Sequence, residues 1–418
     1  MISNLRLKHL FSINLLLILA VSFSFSQEKE TTFHPKKAQA KKEEKLFQNG
    51  GIDDTFSPKI QPNAEITAAA IQKNGKILIG GKFKLINEPS GEMSDRVVRL
   101  NTDGSIDKTF LFQEPVGWNS ESPISVIKLQ SDGKILVAKD WRIIRLNTDG
   151  TIDNTFSSAT FISFGLIDIF GIQIYPDGKL LVSGYFEIVN GQSMYKVARL
   201  KGDGTLDTSF SSNNGGGLVN VNKSAIGTAG KIYLALSNQN WASIGLFPRL
   251  NSDGGFDSTF RWSKTSEEYK NAWEVSDLTD VVIEKDGNLL ISGKITNNSG
   301  LWNETINGIY RMNQNGDIID TFEHLQPLYG TKIYLQEDGK IIALSQNGTA
   351  QDGANLVRFF SNGKKDHSFR NEINFTGGYF PFGSGVLLQK DGKVLVFGQI
   401  NEVNGLARQG IVRFNSNN

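Results

Sequence analysis

The side chains best suited to chemistry in this sequence are regularly spaced aspartates. Residues 101–107, NTDGSID, resemble part of a calcium loop, and the same pattern recurs along the chain. Calcium prefers six or more oxygen ligands, and such a loop would need a further acid at position 99, where the sequence has Arg99. We therefore predict no metal here. The Asn and Asp side chains cap the backbone of turns, and the arginine pairs with one of the carboxylates.

Other catalytic groups are scarce. The chain has 4 histidines and no cysteine, so disulfides, thiolate nucleophiles and Cys-ligated zinc are excluded. Asp366, His367 and Ser368 are consecutive, but adjacent strand residues point to opposite faces, so they do not form a triad. We find no helix behind a Gly-rich loop and predict no cofactor.

A pair of loop carboxylates remains the one catalytic alternative, because glycoside hydrolysis needs only two acids at a set separation. The loop acids are Glu88, Glu92, Asp95, Glu121, Glu267, Glu268 and Glu304. Their separation in space does not follow from the sequence. Solvated surface positions are the default interpretation for each of them.

Aromatic residues are the better candidates for a binding site. Seven of them fall in or near long connections between predicted strands: Trp118, Trp241, Trp262, Trp273, Trp302, Tyr379 and Phe380. Such side chains stack on sugar rings or form hot spots of protein interfaces. The alternative for any single tryptophan is that it only fixes its own loop to the scaffold.

Two alternating signatures organise the whole chain. The first, RLNTDGTIDNTF at 145–156, recurs with its Phe at an average spacing of about 52 residues, a period typical of repeat architectures. The second is Asp-Gly-Lys followed by an apolar run. The Phe positions are Phe56, Phe110, Phe156, Phe210, Phe260, Phe322 and Phe369. The Gly positions of the second signature are Gly75, Gly133, Gly178, Gly230, Gly287, Gly339 and Gly392.

Each repeat predicts four short antiparallel strands. Asp-Gly between apolar runs is a strong hairpin signal, and it joins the first strand to the second and the third to the fourth. The second strand is apolar without alternation, as expected of a strand buried on both faces. We predict an all-β, seven-bladed β-propeller over residues 46–418. Its N-terminal strand at 46–56 completes the C-terminal blade and closes the ring; an open linear array is the alternative.

The two signatures together resemble the delta-60 repeat β-propeller family of secreted bacterial proteins. Residues 46–414 carry the resemblance, which implies a propeller and export but no established activity. Several copies depart from the pattern, such as Asn288 in place of the Lys and Ile319-Asp320 where Asp-x is expected. We expect those blades to be less regular.

The N-terminus predicts export. Residues 1–26 read as a signal peptide, with Arg6 and Lys8 before an apolar centre and a small-x-small site at 24–26. Residues 27–45 are polar and predict a disordered linker. The formal net charge of +1 argues against nucleic acid as a partner. We expect a secreted, periplasmic or cell-surface monomer without a membrane span after cleavage.

The function predicted from these features is non-catalytic binding of a glycan or a protein. In an antiparallel blade both Asp-Gly turns lie on one face, so the long variable connections share the other, where function usually lies. One alternative is a carbohydrate-active hydrolase or lyase with acids at the central channel. A purely structural surface protein is the other.

Overall fold

The computed structural model divides into two compact units, Met1–Lys45 and Leu46–Asn418, and every described residue belongs to the second. The described residues are 51–86, 94–118, 123–165, 167–212, 221–236, 247–260, 273–297, 304–319, 329–346, 354–369, 373–376 and 385–416. The predicted signal peptide and linker lie outside them. No helix in these ranges is long and apolar enough to cross a bilayer.

The described residues are all-β, with one 3-10 turn, Thr228–Gly230, and no α-helix. The strands of the first three repeats are β1 (Glu65–Ile71), β2 (Ile77–Phe83), β3 (Ser94–Leu100), β4 (Ile124–Leu129), β5 (Ile135–Lys139), β6 (Arg142–Leu146), β7 (Phe161–Ile162), β8 (Asp168–Ile174), β9 (Leu180–Tyr185), β10 (Ile188–Val189), β11 (Gln192–Ser193) and β12 (Val197–Leu200). Those of the last four are β13 (Val221–Ile226), β14 (Ile232–Leu236), β15 (Arg249–Leu250), β16 (Trp273–Ile283), β17 (Leu289–Asn297), β18 (Glu304–Met312), β19 (Tyr329–Leu335), β20 (Ile341–Gln346), β21 (Ala354–Phe359), β22 (Ile373–Thr376), β23 (Gly385–Leu388), β24 (Val394–Phe397), β25 (Glu402–Val403), β26 (Leu406–Ala407) and β27 (Ile411–Phe414).

Each repeat forms an antiparallel sheet of three main strands. The first, second and third strands of the seven repeats are β1-β2-β3, β4-β5-β6, β8-β9-β12, β13-β14-β15, β16-β17-β18, β19-β20-β21 and β23-β24-β27. β22, β25 and β26 extend the sixth sheet, and β7, β10 and β11 form a small separate one. The Gly of every first hairpin has positive φ, such as 87° at Gly133, which explains why the signature keeps glycine there.

The predicted fourth strand is much shorter than expected. It makes a single bridge to the third strand, as between Leu146 and Ile152. The chain then turns, because the Asp153 carboxylate accepts hydrogen bonds from the backbone N–H and the hydroxyl of Thr155. This local turn competes with an extended strand, so the sheets have three strands and one bridge instead of four strands.

The core consists of clusters that each join two neighbouring repeats. One combines Leu136 and Ala138 of β5 with Leu180 and Val182 of β9. Successive residues of a second strand enter clusters on opposite sides: Leu290 packs towards the sixth repeat, and Ile291 towards the fourth. This explains the apolar run without alternation. Among the described residues, another cluster joins Phe397 of the seventh repeat to the first repeat.

Arginines of the third strands pair with the repeated aspartates, as predicted. In six repeats the guanidinium Nε donates to the aspartate Oδ2 at 2.6–2.8 Å. The pairs are Arg99–Asp107, Arg145–Asp153, Arg199–Asp207, Arg249–Asp257, Arg358–Asp366 and Arg413–Asp53. Burial alone would raise the pKa of Asp153, but hydrogen bonds from Lys134, Thr155 and Arg145 hold that pKa well below its usual range.

The fifth repeat replaces this pair. Ile319 stands where the others have the aspartate, and its Arg311 instead forms a bidentate pair with Glu284 at the end of β16. The Lys that usually joins the aspartate is replaced by Asn288, whose side chain bonds to Asp286. In the fifth repeat the carboxylate partner of the arginine therefore comes from the first hairpin instead of the segment after the second hairpin.

Six of the seven third-strand arginines also link their repeat to a neighbouring one. Nη atoms donate to carbonyl groups in the following repeat at 2.5–2.7 Å. The links are Arg99–Thr148, Arg145–Gly202, Arg199–Ser252, Arg249–Gln314, Arg311–Ser361 and Arg413–Thr102. The second hairpin also approaches the preceding repeat so closely that a Cβ on Gly204 would lie 2.2 Å from the Ser157 carbonyl oxygen.

The two ends of the described repeats contact each other. Ile52 bridges Phe414, the Asp53 N–H donates to the Arg413 carbonyl at 2.8 Å, and the Arg413 guanidinium donates to Asp53. The first strands contact one another in order, β1-β4-β8-β13-β16-β19-β23, and β23 contacts β1.

Candidate functional site

The structure describes the surroundings of one predicted site residue in full. Trp118 packs against the cluster of the first and second repeats, and its ring centroid lies 6.0 Å from that of Phe112. The buried ammonium of Lys139 lies 5.5 Å from the Trp118 ring centroid. Trp118 thus fixes its loop to the scaffold. Its predicted role in ligand binding is untested.

Of the remaining predicted site residues, the structure places only the backbone of Trp273, which begins β16 opposite Asn297. Trp241, Trp262, Trp302, Tyr379 and Phe380 lie outside the described residues. So do most of the loop acids of the enzymatic alternative, although Asp95 lies in β3 and Glu304 begins β18.

An exposed aromatic surface lies where the second and third repeats meet, and we call it the repeat 2–3 surface. It comprises the exposed side chains of Val116, Trp141, Ile162 and Phe164, with the charged groups around them. The Arg142 guanidinium donates to the Val116 carbonyl, and the Phe161 N–H donates to the Trp141 carbonyl at 3.1 Å. These bonds hold the loop before β4, the β5–β6 turn and β7 together.

Trp141 stands at the tip of the β5–β6 turn, preceded by Asp140 at φ 54°. The Arg142 guanidinium carbon lies 4.4 Å from the Trp141 ring centroid. The ring is 37% exposed, and Phe164 is 88% exposed. An arginine stacked on indole restricts the ring while leaving a face available.

Two carboxyl groups, Asp140 and Asp168, lie at or near the β5–β6 turn. Asp168 begins β8, opposite Tyr185 of β9. Burial raises the pKa of Asp168 to about 6; a hydrogen bond from the Ile169 N–H opposes the shift, and the charge of Asp140 adds to it. Asp168 therefore keeps its proton to a higher pH than an ordinary aspartate, and when protonated it can donate a hydrogen bond.

A second charged group flanks the same surface. Lys196 Nζ lies 3.6 Å from the Tyr185 ring centroid and 2.7 Å from Glu187 Oε1. The other oxygen of Glu187 accepts a hydrogen bond from the Phe164 N–H at 3.2 Å. Phe164 is thus held in an exposed position by a buried ion pair. Aromatic faces bordered by paired donors and acceptors suit a ligand with apolar faces and hydroxyl edges.

The sequence prediction does not include Trp141, because it places candidate aromatic residues in long connections and the β5–β6 connection is a short turn. A usable signal was present: Asp140-Trp141-Arg142 puts a large aromatic between charged residues at a turn tip. Asp168 gave no such signal, because its burial and the nearness of Asp140 arise only when the repeats pack.

Comparison with known proteins supports the fold. Residues 72–110, 130–156, 176–210 and 389–417 match the family model described as "Domain of unknown function (DUF5122) beta-propeller". The matches support a β-propeller family. The delta-60 name predicted from the signatures is not tested by this match. A search of curated proteins found no match.

Solved structures give distant matches. Virginiamycin B lyase from Staphylococcus aureus, an inactive variant with quinupristin, is 13% identical, with a TM-score of 0.49 over 85% of this chain and 96% of that one. YCF48 bound to D1 peptide is 10% identical, with a TM-score of 0.48 over 87% and 96%. The extracellular domain of the putative hybrid two component system BT4673 from B. thetaiotaomicron is 14% identical, with a TM-score of 0.46 over 88% of this chain and 43% of that one. At such identities a fold does not assign an activity.

Proposed function

We propose that this protein is an exported, closed seven-bladed β-propeller that binds a glycan at the repeat 2–3 surface. Closure is supported by the contacts of Asp53 with Arg413 and by the core cluster shared between the seventh and first repeats. Export is supported by the apolar N-terminal pattern at 1–26. The ring supplies a rigid support for the loops that carry the site.

One observation carries the glycan proposal. Trp141 and Phe164 stand exposed on a surface that also carries Asp140 and Arg142, and the partly buried Asp168 lies near Asp140. Sugar rings offer apolar C–H faces to aromatic rings and hydroxyl edges to carboxylates and guanidinium groups. A protein ligand would use the same aromatic side chains as hot spots.

A second candidate function rests on the two carboxyl groups. Asp168 keeps its proton to a higher pH than an ordinary aspartate, and the charge of Asp140 adds to this shift. A glycosidase uses one carboxyl group with a raised pKa as its acid, beside a second carboxyl group that acts as base or nucleophile. This candidate predicts that bound glycan is cleaved and that Asp168→Asn stops cleavage without abolishing binding.

The test is a glycan-array screen followed by calorimetry on the full mature chain. Trp141→Ala should weaken the best ligand at least about tenfold, since roughly 1.4 kcal/mol corresponds to a factor of ten. Phe360→Ala is the matched control, because Phe360 is similarly exposed, at 42%, but lies in the Asn-Gly turn of the sixth repeat. Binding that responds equally to both variants contradicts the proposed surface.

The products distinguish the candidates. A binding protein returns its glycan intact, and a hydrolase or lyase releases fragments that mass spectrometry detects. If no glycan binds but a surface protein does, and Trp141→Ala weakens that complex, the ligand is a protein. If neither binds, a structural surface role is favoured.

A further inference from the structure

Three lysines lie on the first strands of alternate repeats: Lys128 on β4, Lys223 on β13 and Lys332 on β19. All three side chains are half-buried. The first strand is the innermost strand of a propeller blade, so in the ring proposed above these strands border the central channel. The lysines thus come from the second, fourth and sixth repeats and converge on one internal space.

The strand registers place the three lysines at similar distances from the first hairpin of their repeats. Lys223 is opposite Ala235, the fourth residue of β14, and Lys332 is opposite Leu344, the fourth residue of β20. Lys128 is opposite Leu136, the second residue of β5, so it lies two residues closer to the first hairpin. An even offset keeps all three side chains on equivalent faces of their strands.

One carboxylate on the described strands between the lysines lies level with two of them. Asp280 of β16 is opposite Ser292, the fourth residue of β17, and so lies level with Lys223 and Lys332. Both of its oxygens already accept backbone N–H bonds, from Val281 and from Ile333, each at 2.8 Å. Among the described first-strand residues, Asp280 is the one carboxylate at the level of the lysines; Glu65 of β1 and Asp168 of β8 lie farther from the first hairpin, opposite Lys82 and Tyr185.

The intervening strand β8 adds no charge at this depth. Gln173 of β8 uses its amide to donate to the Ser224 carbonyl at 3.2 Å. Within the described part of the chain, no hydrogen bond or ion pair is found for the ammonium groups of Lys128 and Lys223. Their charge is available to a ligand.

The electrostatics show that the lysines act on each other. Burial lowers the pKa of Lys128, and the charge of Lys223 lowers it further. Burial likewise lowers the pKa of Lys332 to about 8; the charge of Lys223 adds to the shift, and Asp280 opposes it. Lys223 is thus near enough to both lysines to repel their protons. Without a ligand, the three positive charges destabilise one another.

We propose that Lys128, Lys223 and Lys332 form a binding site in the central channel for a compact oxyanion with two or more negative charges, such as phosphate or a polycarboxylate. Lysine binds such groups as a point charge, and three of them inside a low-dielectric channel concentrate anions strongly. The site is separate from the repeat 2–3 surface. It needs the channel of the closed ring, but it does not depend on glycan binding.

Thermal unfolding and calorimetry of the full mature chain test this proposal. Phosphate and citrate are each compared with sodium chloride at the same ionic strength, which cancels general screening. We expect at least one of the two to raise the Tm of the wild type and to bind with measurable heat. The arm that responds identifies the anion class.

Lys223→Met should remove the anion-specific rise in Tm, weaken binding at least tenfold, and raise the Tm of the ligand-free protein because repulsion is relieved. Lys201→Met is the control, since Lys201 is an exposed lysine in an Asp-Gly turn, and it should leave the anion effect unchanged. If circular dichroism shows that Lys223→Met does not fold, Lys128→Met takes its place. An absent rise in the wild type, or the same rise in the lysine variant, would overturn the site.

Discussion

Replacing Asp153 with alanine tests the network that fixes each repeat to the next. The Asp153 carboxylate accepts hydrogen bonds from Arg145 Nε at 2.6 Å and from Lys134 Nζ at 2.7 Å. It also accepts the N–H and the hydroxyl of Thr155. Asp153→Ala therefore removes four hydrogen bonds and the countercharge of two cations.

The size of the effect depends on which cation can reach water. The Arg145 side chain is 9% exposed and is held by the Gly202 carbonyl and the Phe156 ring, so it would stay buried without its carboxylate. Breaking a buried pair in this way costs about 3–5 kcal/mol. The Lys134 side chain, at 31% exposed, turns to solvent and adds little. We expect a loss of about 3 kcal/mol in the free energy of unfolding.

The assay is urea denaturation at pH 7, with Asp149→Ala as the control. Asp149 lies in the same hairpin and also bonds to the N–H and hydroxyl of a Thr, Thr151, but it is exposed and pairs with no arginine. The control should lose less than about 1 kcal/mol. Equal losses in the two variants would show that the turn matters and the arginine does not.

The same pair has a pH signature. Because the pKa of Asp153 is lowered by folding, its stabilising effect is fully present above the ordinary aspartate pKa of about 4 and is lost as the pH falls below it. The difference between wild type and Asp153→Ala should therefore shrink in acid. A difference that stays constant down to pH 3 would contradict the electrostatic account.

Three further predictions concern a close approach, a buried carboxyl and the joined ends. Gly204→Ala should destabilise the fold by at least about 2 kcal/mol more than Gly178→Ala in urea denaturation; both glycines have positive φ, but only Gly204 faces a backbone oxygen at 2.2 Å. Equal losses would show that the approach is not tight. Asp168→Asn should add about 2 kcal/mol of stability at pH 8 and nothing below about pH 4. Because folding raises the pKa of Asp168 to about 6, the ionised carboxylate destabilises the folded state above that pH. Below about pH 4 the carboxyl group is protonated in both states, and the destabilisation is absent. A gain independent of pH would exclude this cause. Deleting residues 46–56 should open the ring and broaden the calorimetric transition, whereas deleting residues 27–45 should not; an unchanged transition in the first deletion would refute closure.

The repeated local features could be predicted from the sequence. The Asp-Gly hairpins depend on residues next to each other in the chain, and the pairing of arginine with aspartate depends on a spacing of eight residues, as in Arg145 and Asp153. The doubly buried second strands were likewise visible as unbroken apolar runs. These predictions are confirmed because their physical causes are short-range.

The rest depends on packing between repeats. The fourth strand was predicted too long, because the turn made by Asp153 and Thr155 was not weighed against extension. The pKa of Asp168 follows from burial, and the interactions of Lys128 and Lys332 with Lys223 join residues far apart in the chain. No spacing in a single repeat encodes such groupings.

The displaced carboxylate of the fifth repeat constrains how this array could have diverged. If an aspartate at position 319 were lost first, the half-buried Arg311 would lose its carboxylate partner, whereas gaining Glu284 first leaves Arg311 with two partners. The tolerated order is therefore that Glu284 is gained before the aspartate at position 319 is lost. After both changes, neither position can revert alone without removing the carboxylate partner of Arg311 or duplicating it. Glu284→Gln should thus be costly in this repeat alone, since the first, second, sixth and seventh repeats already carry glutamine at that place: Gln72, Gln130, Gln336 and Gln389. Repeats that share one pattern have in this way acquired substitutions that cannot be exchanged singly among them.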